Sequence, residues 1–240
     1  MDSEKSKPQN RRRVVAAVII GIFIVIAATG AVFYCTFFPN PLAKSISPNQ
    51  ISEGTISVTG ESDVLIAYFS LTNNREYPSG EVDAVSSASL KIRDGTGYGH
   101  AELLAIAAQE TTGGDLFPIK VNDLYPDTYG GAFDRHHSEM GSSIRPTLSE
   151  HLETVDCYNT VILIYPNWLS NLPQPVLTFL EEYDFAGKNI VPIATSQALG
   201  LGSGPEQIKS VCPDAVVAEG LSARSEDGVK DFLTKMGLQQ

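Results

Sequence analysis

Cysteine is scarce. The 240-residue chain holds three, and only Cys157 and Cys212 lie beyond the first 40 residues. Two thiols make no disulfide framework, redox motif or structural zinc site. A Gly-x-Ser-x-Gly turn is missing, which removes the nucleophile elbow of the hydrolases. A His-Glu-x-x-His helix is missing too, so no metal is expected. The adjacent His136 and His137, with Glu139, stand in a polar stretch and read as a solvated surface feature. "GTGYGHAE" at 95–102 lacks the third glycine of a dinucleotide fingerprint and does not directly follow a strand.

Positive charge is also in short supply. Lys and Arg number 17 against 28 Asp and Glu, and the net charge is −11. Five of the basic residues, Lys5, Lys7, Arg11, Arg12 and Arg13, fall in the first 13 positions, opposed only by Asp2 and Glu4. The remainder stands at net −14. Such a surface repels nucleic acid and anionic lipid and admits basic partners. Solubility alone accounts for it equally well.

What the chain does have is a run of 25 residues without a charge, Val14 to Phe38. At roughly 1.5 Å per helical residue it exceeds the ~30 Å hydrocarbon core, so it reads as one transmembrane helix. The basic tail 1–13 keeps the N-terminus cytoplasmic, and the rest of the chain is expected outside the cell membrane. The run is longer than a cleavable signal core, which favours an uncleaved signal-anchor. Cys35, beside the bulky Tyr34, reads as a membrane-embedded residue. Residues 39–62, rich in Pro, Ser, Gly and Asn, read as a linker, leaving 63–240 as the globular part.

Within 63–240 two kinds of pattern alternate. "VLIAYF" (64–69), "DLFPIK" (115–120), "TVILIY" (160–165), "NIVPIA" (189–194) and "AVVAE" (215–219) are short and almost continuously apolar, as strands buried on both faces are. Helical patterns lie between and after them at 99–114, 145–156, 173–185, 204–212 and 225–238. Five strands alternating with five helices predict an α/β fold, a parallel sheet with helices on both faces. The polar, glycine-rich stretch 122–143 reads as a long surface loop, with Asp127 and Tyr129 as possible neighbours of a ligand. Glu181 and Glu182 read as a solvated helix end.

In open α/β sheets ligands sit beyond the carboxyl ends of the strands. Three loops stand there. Ser70-Leu71-Thr72-Asn73-Asn74 offers neutral hydroxyl and amide donors suited to a phosphate, and the helix starting near Gly99-His100-Ala101 can close the same site with its N-terminal N–H groups. The residues between then form an insertion. Pro166-Asn167-Trp168-Leu169 carries the only tryptophan, which can stack on a planar ring or pack in the core. Thr195-Ser196-Gln197-Ala198-Leu199-Gly200 can offer backbone N–H groups to ring carbonyls, or simply connect two elements.

"VLIAYFSLT", "GHAELLAIAAQETTGGDLFPI", "YPDTY", "RPTLS", "TVILIYPNWLSNLPQPVLTFLEEYDFAGKNIVPIATS" and "IKSVCPDAVVAEGL", in this order, resemble the flavodoxin-like family of FMN-binding proteins, in the subgroup with an insertion between the first strand and first helix. The resemblance implies a five-stranded parallel sheet of order 2-1-3-4-5 and FMN as cofactor. It assigns the phosphate loop to Ser70, Thr72, Asn73 and Asn74, the helix start to His100 and Ala101, and the flavin border to Pro166, Asn167, Trp168 and Leu169, with Thr195, Ser196, Gln197 and Gly200. Asn73 stands where the family often has glycine. Trp168-Leu169-Ser170 replaces a Trp-Trp-Gly-like loop, and Thr195–Gly200 departs from Thr-His-x-Gly-Ser-Gly. Two functions follow. One is a membrane-anchored flavoprotein that transfers electrons to a redox partner protein or reduces small acceptors such as quinones. The other is a degenerate flavodoxin fold serving as an extracellular binding module without FMN.

Overall fold

The apolar runs become a single parallel sheet in the computed structural model, which describes residues 48–77, 90–195 and 199–240. Its strands are β1 (Val64–Tyr68), β4 (Asp115–Pro118), β5 (Thr160–Pro166), β6 (Asn189–Thr195), β7 (Val216–Val217) and β8 (Leu221–Ala223). The order is β4-β1-β5-β6-β7, with β8 also on β6, and every pairing is parallel. The fifth strand is therefore broken into β7 and β8. Counted as five, the order is the expected 2-1-3-4-5.

Alternation along β1 divides the core into two layers. Val64, Ile66 and Tyr68 pack with Ala101, Leu104, Ala105 and Ala108 of α1 (His100–Thr112) and with Val229 and Leu233 of α5 (Glu226–Lys235). Leu65, Ala67 and Phe69 face the other way. They join Ala132 of α2 (Tyr129–Ser142), Val176, Leu177 and Phe179 of α3 (Gln174–Glu182), and Ile208 of α4 (Gly204–Val211). Helix α1 ends at Gly113, whose φ of 63° lets its N–H reach the Gln109 carbonyl.

Two expectations between β4 and β5 are reversed. The stretch 122–143, read as a loop, contains α2. The Thr128 hydroxyl caps it by accepting from Gly131 N, and Arg135 pairs with Glu139 one turn on. Its inward stripe, Ala132, His136 and Glu139, is buried. The stretch 145–156, read as a helix, is not one. It runs extended, with Val121 bridged antiparallel to Leu148 and Ser149 N donating to Lys120 O. Leu148, Leu152 and Val155 fill the core from this extended path, so their helical spacing served burial and not a helix. Glu181 and Glu182 are ion-paired with Arg145 and His151, at 2.8 and 2.5 Å.

The insertion after β1 contains an antiparallel hairpin, β2 (Leu90–Arg93) with β3 (Thr96–Gly99). Asp94 and Gly95 turn it with positive φ, 51° and 80°, as a two-residue hairpin turn requires. Upstream, Ser57 pairs antiparallel with Leu116 on the β4 edge, and Asp115 accepts from Thr59 Oγ1 and Gly60 N. Ser57, Thr59 and Gly60 lie in the stretch read as linker. The charge-free run Val14–Phe38 lies outside the described residues. Among the described residues no helix is long and apolar enough to cross a membrane.

Candidate functional site

The loop after β1 is a tight 3-10 turn, Leu71–Asn73, closed by Asn73 N to Ser70 O and Asn74 N to Leu71 O. Asn74 is wholly buried and spends its side chain on structure. Its Nδ2 donates to Ser70 O and Ile119 O, and its Oδ1 accepts from Val121 N. Ser70 Oγ and Thr72 Oγ1 differ. Both residues are 2 % exposed, and neither hydroxyl has a hydrogen-bond partner. They face Gly99, the N-cap of α1. A Cβ on Gly99 would lie 1.8 Å from Ser70 Oγ and 3.1 Å from Thr72 Oγ1. Only glycine lets the helix start approach the hydroxyls this closely.

His100 adds a third group without a partner at this helix start, its Nε2. Burial, helped by the nearby Lys91 charge, pulls its pKa down to about 4. Ala101 is buried against the sheet and has no polar side-chain group. Sequence reasoning missed Glu102, which is fully buried in the first turn of α1. Its carboxylate accepts from Ser52 Oγ, Thr55 N, Thr55 Oγ1 and Asn73 Nδ2. An acid in a helix's first turn was the available sign; its partners at 52 and 55 lie far away in sequence.

The second loop folds back on itself. Trp168 and Asn171 exchange both backbone hydrogen bonds, and Leu169 and Ser170 between them hold φ of 51° and 68°. Leucine in the left-handed region is strained, and such strain gathers at functional sites. Trp168 meets Phe69, Tyr125 and His136 edge-on, with ring centroids 5.5, 5.4 and 4.8 Å away. Core packing and site lining are thus both true of it. Asn167 follows Pro166, the last residue of β5. Its N–H donates to Thr195 O at the end of β6, and its Nδ2 donates to Gly200 O and Leu199 O.

The third loop packs against the second. Gly200 and Gly202 have φ of 59° and 57°, and a Cβ on Gly202 would lie 2.5 Å from Ser170 O. Ser196 and Gln197 lie outside the described residues. Between the loops opens a pocket of about 220 Å³, lined by Leu71, Ala132, Phe133, His136, Asn167, Trp168, Leu169 and Leu199.

Helix α2 forms one wall of this pocket, which corrects the solvated reading of His136 and Glu139. His136 is 3 % exposed, and neither ring nitrogen is hydrogen-bonded. Burial lowers its pKa. Glu139 is held by Tyr125 Oη and Arg135 Nε, each at 2.7 Å, and the Arg135 guanidinium lies over the Tyr125 ring. His137 is exposed. Among the described residues no group of His, Cys, Asp and Glu could hold a metal ion. Asp127 lines a separate hollow with Glu76, Tyr77 and Leu124. Cys157 and Cys212 are free thiols, the first exposed and the second buried.

The structure thus gathers Ser70, Thr72 and His100 at the start of α1, and Asn167, Trp168 and Leu169 around the apolar pocket. No curated protein is significantly similar to the chain. Solved structures are. A candidate flavoprotein of Bacteroides eggerthii is 24% identical with a TM-score of 0.54, covering 74% of this chain and 99% of its own. One from Bacteroides uniformis is 23% identical at 0.53, covering 72% and 97%. A flavoprotein of Lactobacillus acidophilus, solved in complex with FMN, is 13% identical at 0.50, covering 72% and 98%. These likenesses show the fold. The flavodoxin family model matches residues 93–236, more than half of the sequence. The chain belongs to the flavodoxin family.

Proposed function

We propose that this protein is a flavoprotein that holds FMN across the two loop clusters and passes electrons to a partner protein or a small acceptor. One observation carries the reading: the buried, unpartnered hydroxyls of Ser70 and Thr72 converge on the start of a 13-residue helix at the carboxyl end of the sheet. Buried donors without partners are costly, and a phosphate group satisfies several at once. The helix start adds free N–H groups and a favourable dipole. Leu71, next to Thr72, leads into the apolar pocket, where Trp168, Leu169 and His136 would border the ring. Bound there, the flavin supplies the electron chemistry, and the protein orients it and tunes its potential. The acidic surface disfavours added negative charge and so lowers that potential.

Glu102 favours the second reading, a fold without FMN. Its carboxylate reaches Asn73 at 3.2 Å and places negative charge beside the loop. Titration of the purified chain with FMN separates the two. The sole tryptophan lines the ring pocket, so binding should quench its fluorescence at a one-to-one ratio with micromolar or tighter affinity. Unquenched Trp168 at millimolar FMN would overturn the flavin reading. The membrane tether through Val14–Phe38 belongs to the same proposal. It predicts that the full chain stays with membranes through alkaline extraction, and release into the supernatant would refute it.

A further inference from the structure

We infer that a second, cationic pocket on the far side of the loop after β1 binds an oxyanion, a phosphoryl or carboxylate group, with Arg75 as its principal charge. The pocket holds about 470 Å³, and Thr72, Asn73, Arg75, Tyr77, Lys120 and Ser52 contribute to its wall. Arg75 is only 7 % exposed, yet no carboxylate pairs with it among the described residues. Its Nε is buried without a hydrogen-bond partner, and its guanidinium lies 5.2 Å from the centre of the Tyr77 ring.

A buried cation without a counter-charge is expensive, and proteins that keep one usually give it an anion. The backbone fixes this one in place. Arg75 is bridged to Tyr125, and Glu76 N donates to Tyr125 O. Tyr77 Oη donates to Thr72 O, closing the loop beneath the guanidinium. Lys120 adds a second positive charge and is paired loosely with Glu150, at 3.9 Å. Gly54, with φ of 99°, lets the upstream segment lie against it, since a Cβ there would come within 3.2 Å of Lys120 Cε.

One more group points to a ligand. Asn73 Oδ1, also buried and unpartnered, can accept from a hydroxyl next to the anion. Among the described residues, the Glu102 carboxylate accepts from Ser52, Thr55 and Asn73, and Glu53, at the rim, is exposed. A guanidinium with a neighbouring ammonium suits phosphoryl or carboxylate oxygens in forked geometry. Thr72 stands between this pocket and the cradle at Gly99, so the oxyanion belongs either to the flavin nucleotide or to the molecule that reacts with it.

Inorganic phosphate is the probe, titrated by calorimetry at low salt into the full chain with and without saturating FMN. Arg75→Met should weaken phosphate binding about tenfold or more, Arg75→Lys less, and the rim variant Lys120→Met about threefold. Lys120→Met keeps the test alive should Arg75→Met fail to fold. Binding of phosphate to the FMN-loaded chain identifies the reacting molecule as the source. Competition between the two, with Arg75→Met weakening FMN but not riboflavin, identifies the cofactor's own phosphate. Absence of phosphate binding at millimolar concentration, or equal binding by wild type and both variants, would overturn the inference while riboflavin binding still stood for the flavin reading. Phosphate binding without any flavin binding would do the reverse.

Discussion

Leu71 and Thr72 are neighbours in one turn and face opposite surroundings. Leu71 opens onto a 220 Å³ pocket whose walls are mostly carbon. Thr72 turns its hydroxyl toward Gly99 and lines the larger pocket that contains Arg75 and Lys120. The two sides are built differently. The apolar side is made by packing of rings on α2 and of glycines between loops, with a strained leucine at its lip. The polar side is made by hydrogen bonds that tie the upstream segment and α1 to the turn through Glu102. A single bound molecule spanning both would need its ring on one side and its charge on the other. Perturbing one side at a time is the way to test whether they act independently.

The largest single effect should come from the polar side. Glu102→Ala leaves Ser52 Oγ, Thr55 N and Thr55 Oγ1 without their acceptor, while Asn73 Nδ2 keeps Ser52 O. Donors left unsatisfied inside a protein cost about 1–3 kcal/mol each; these are half-buried, and water and relaxation of the upstream segment recover part of this, so a loss of about 3 kcal/mol is expected in urea unfolding. Riboflavin binding should survive where the protein stays folded. A loss below about 0.5 kcal/mol would show that Glu102 does not hold the two segments together.

Gly202→Ala is the matching test on the apolar side. The new Cβ would meet Ser170 backbone at 2.5 Å, and backbone cannot rotate away. Overpacking of this kind costs about 1–3 kcal/mol. It should push the second and third loops apart and weaken riboflavin, while phosphate binding at Arg75 is unchanged. Equal weakening of both ligands would mean that the two sides move as one.

How far these features were readable differs by side and by range of contact. The sheet was legible because strands buried on both faces are apolar at every position, a purely local sign. The turn at Ser70–Asn74 and the helix start at Gly99 were also legible, since hydroxyls and glycine carry their tendencies locally. Helix α2 was not. Its inward stripe holds a histidine and a glutamate where leucines would have announced it, and these are buried only because Trp168, Tyr125 and Arg135 receive them. The false helix at 145–156 fails for the same reason in reverse, because Lys120–Asn122 capture it as an extended partner. The Arg75 pocket needs residues 49–53, 72–77 and 120 at once, and no local pattern joins them.

Each side carries one histidine with a depressed pKa, the half-buried His100 on the polar side and the buried His136 on the apolar side. A depressed folded-state pKa means that the unfolded chain binds the proton first. The stability involved is complete above the ordinary value of 6.5 and is lost as pH falls toward the folded value, about 4 for His100. Each proton contributes a slope of at most about 1.4 kcal/mol per pH unit in that window. Urea unfolding between pH 7 and pH 4.5 should show this decline, and His100→Phe and His136→Phe should each flatten it. FMN should flatten the His100 share, because a phosphate favours the imidazolium, whereas riboflavin should not. A decline of the same slope in both variants would remove the histidines as its cause.

The smallest effect should fall on Leu169, and it has an unusual sign. The residue is 45 % exposed and holds φ of 51°, so it gains little from burial and loses by its backbone. Leu169→Gly relieves the conformation and should stabilise the fold by about 1 kcal/mol or less, since glycine's added freedom in the unfolded chain takes back part of the gain. The same change strips an apolar wall from the ring pocket. Riboflavin and FMN should then bind more weakly by the same factor, with inorganic phosphate unaffected. A strained leucine kept at a solvent-facing turn is understandable if it covers a ring, because stability is then given up for contact with the ligand. Should Leu169→Gly stabilise the protein and leave flavin affinity intact, the strain serves neither the fold nor the pocket, and the apolar side loses its strongest sign of purpose.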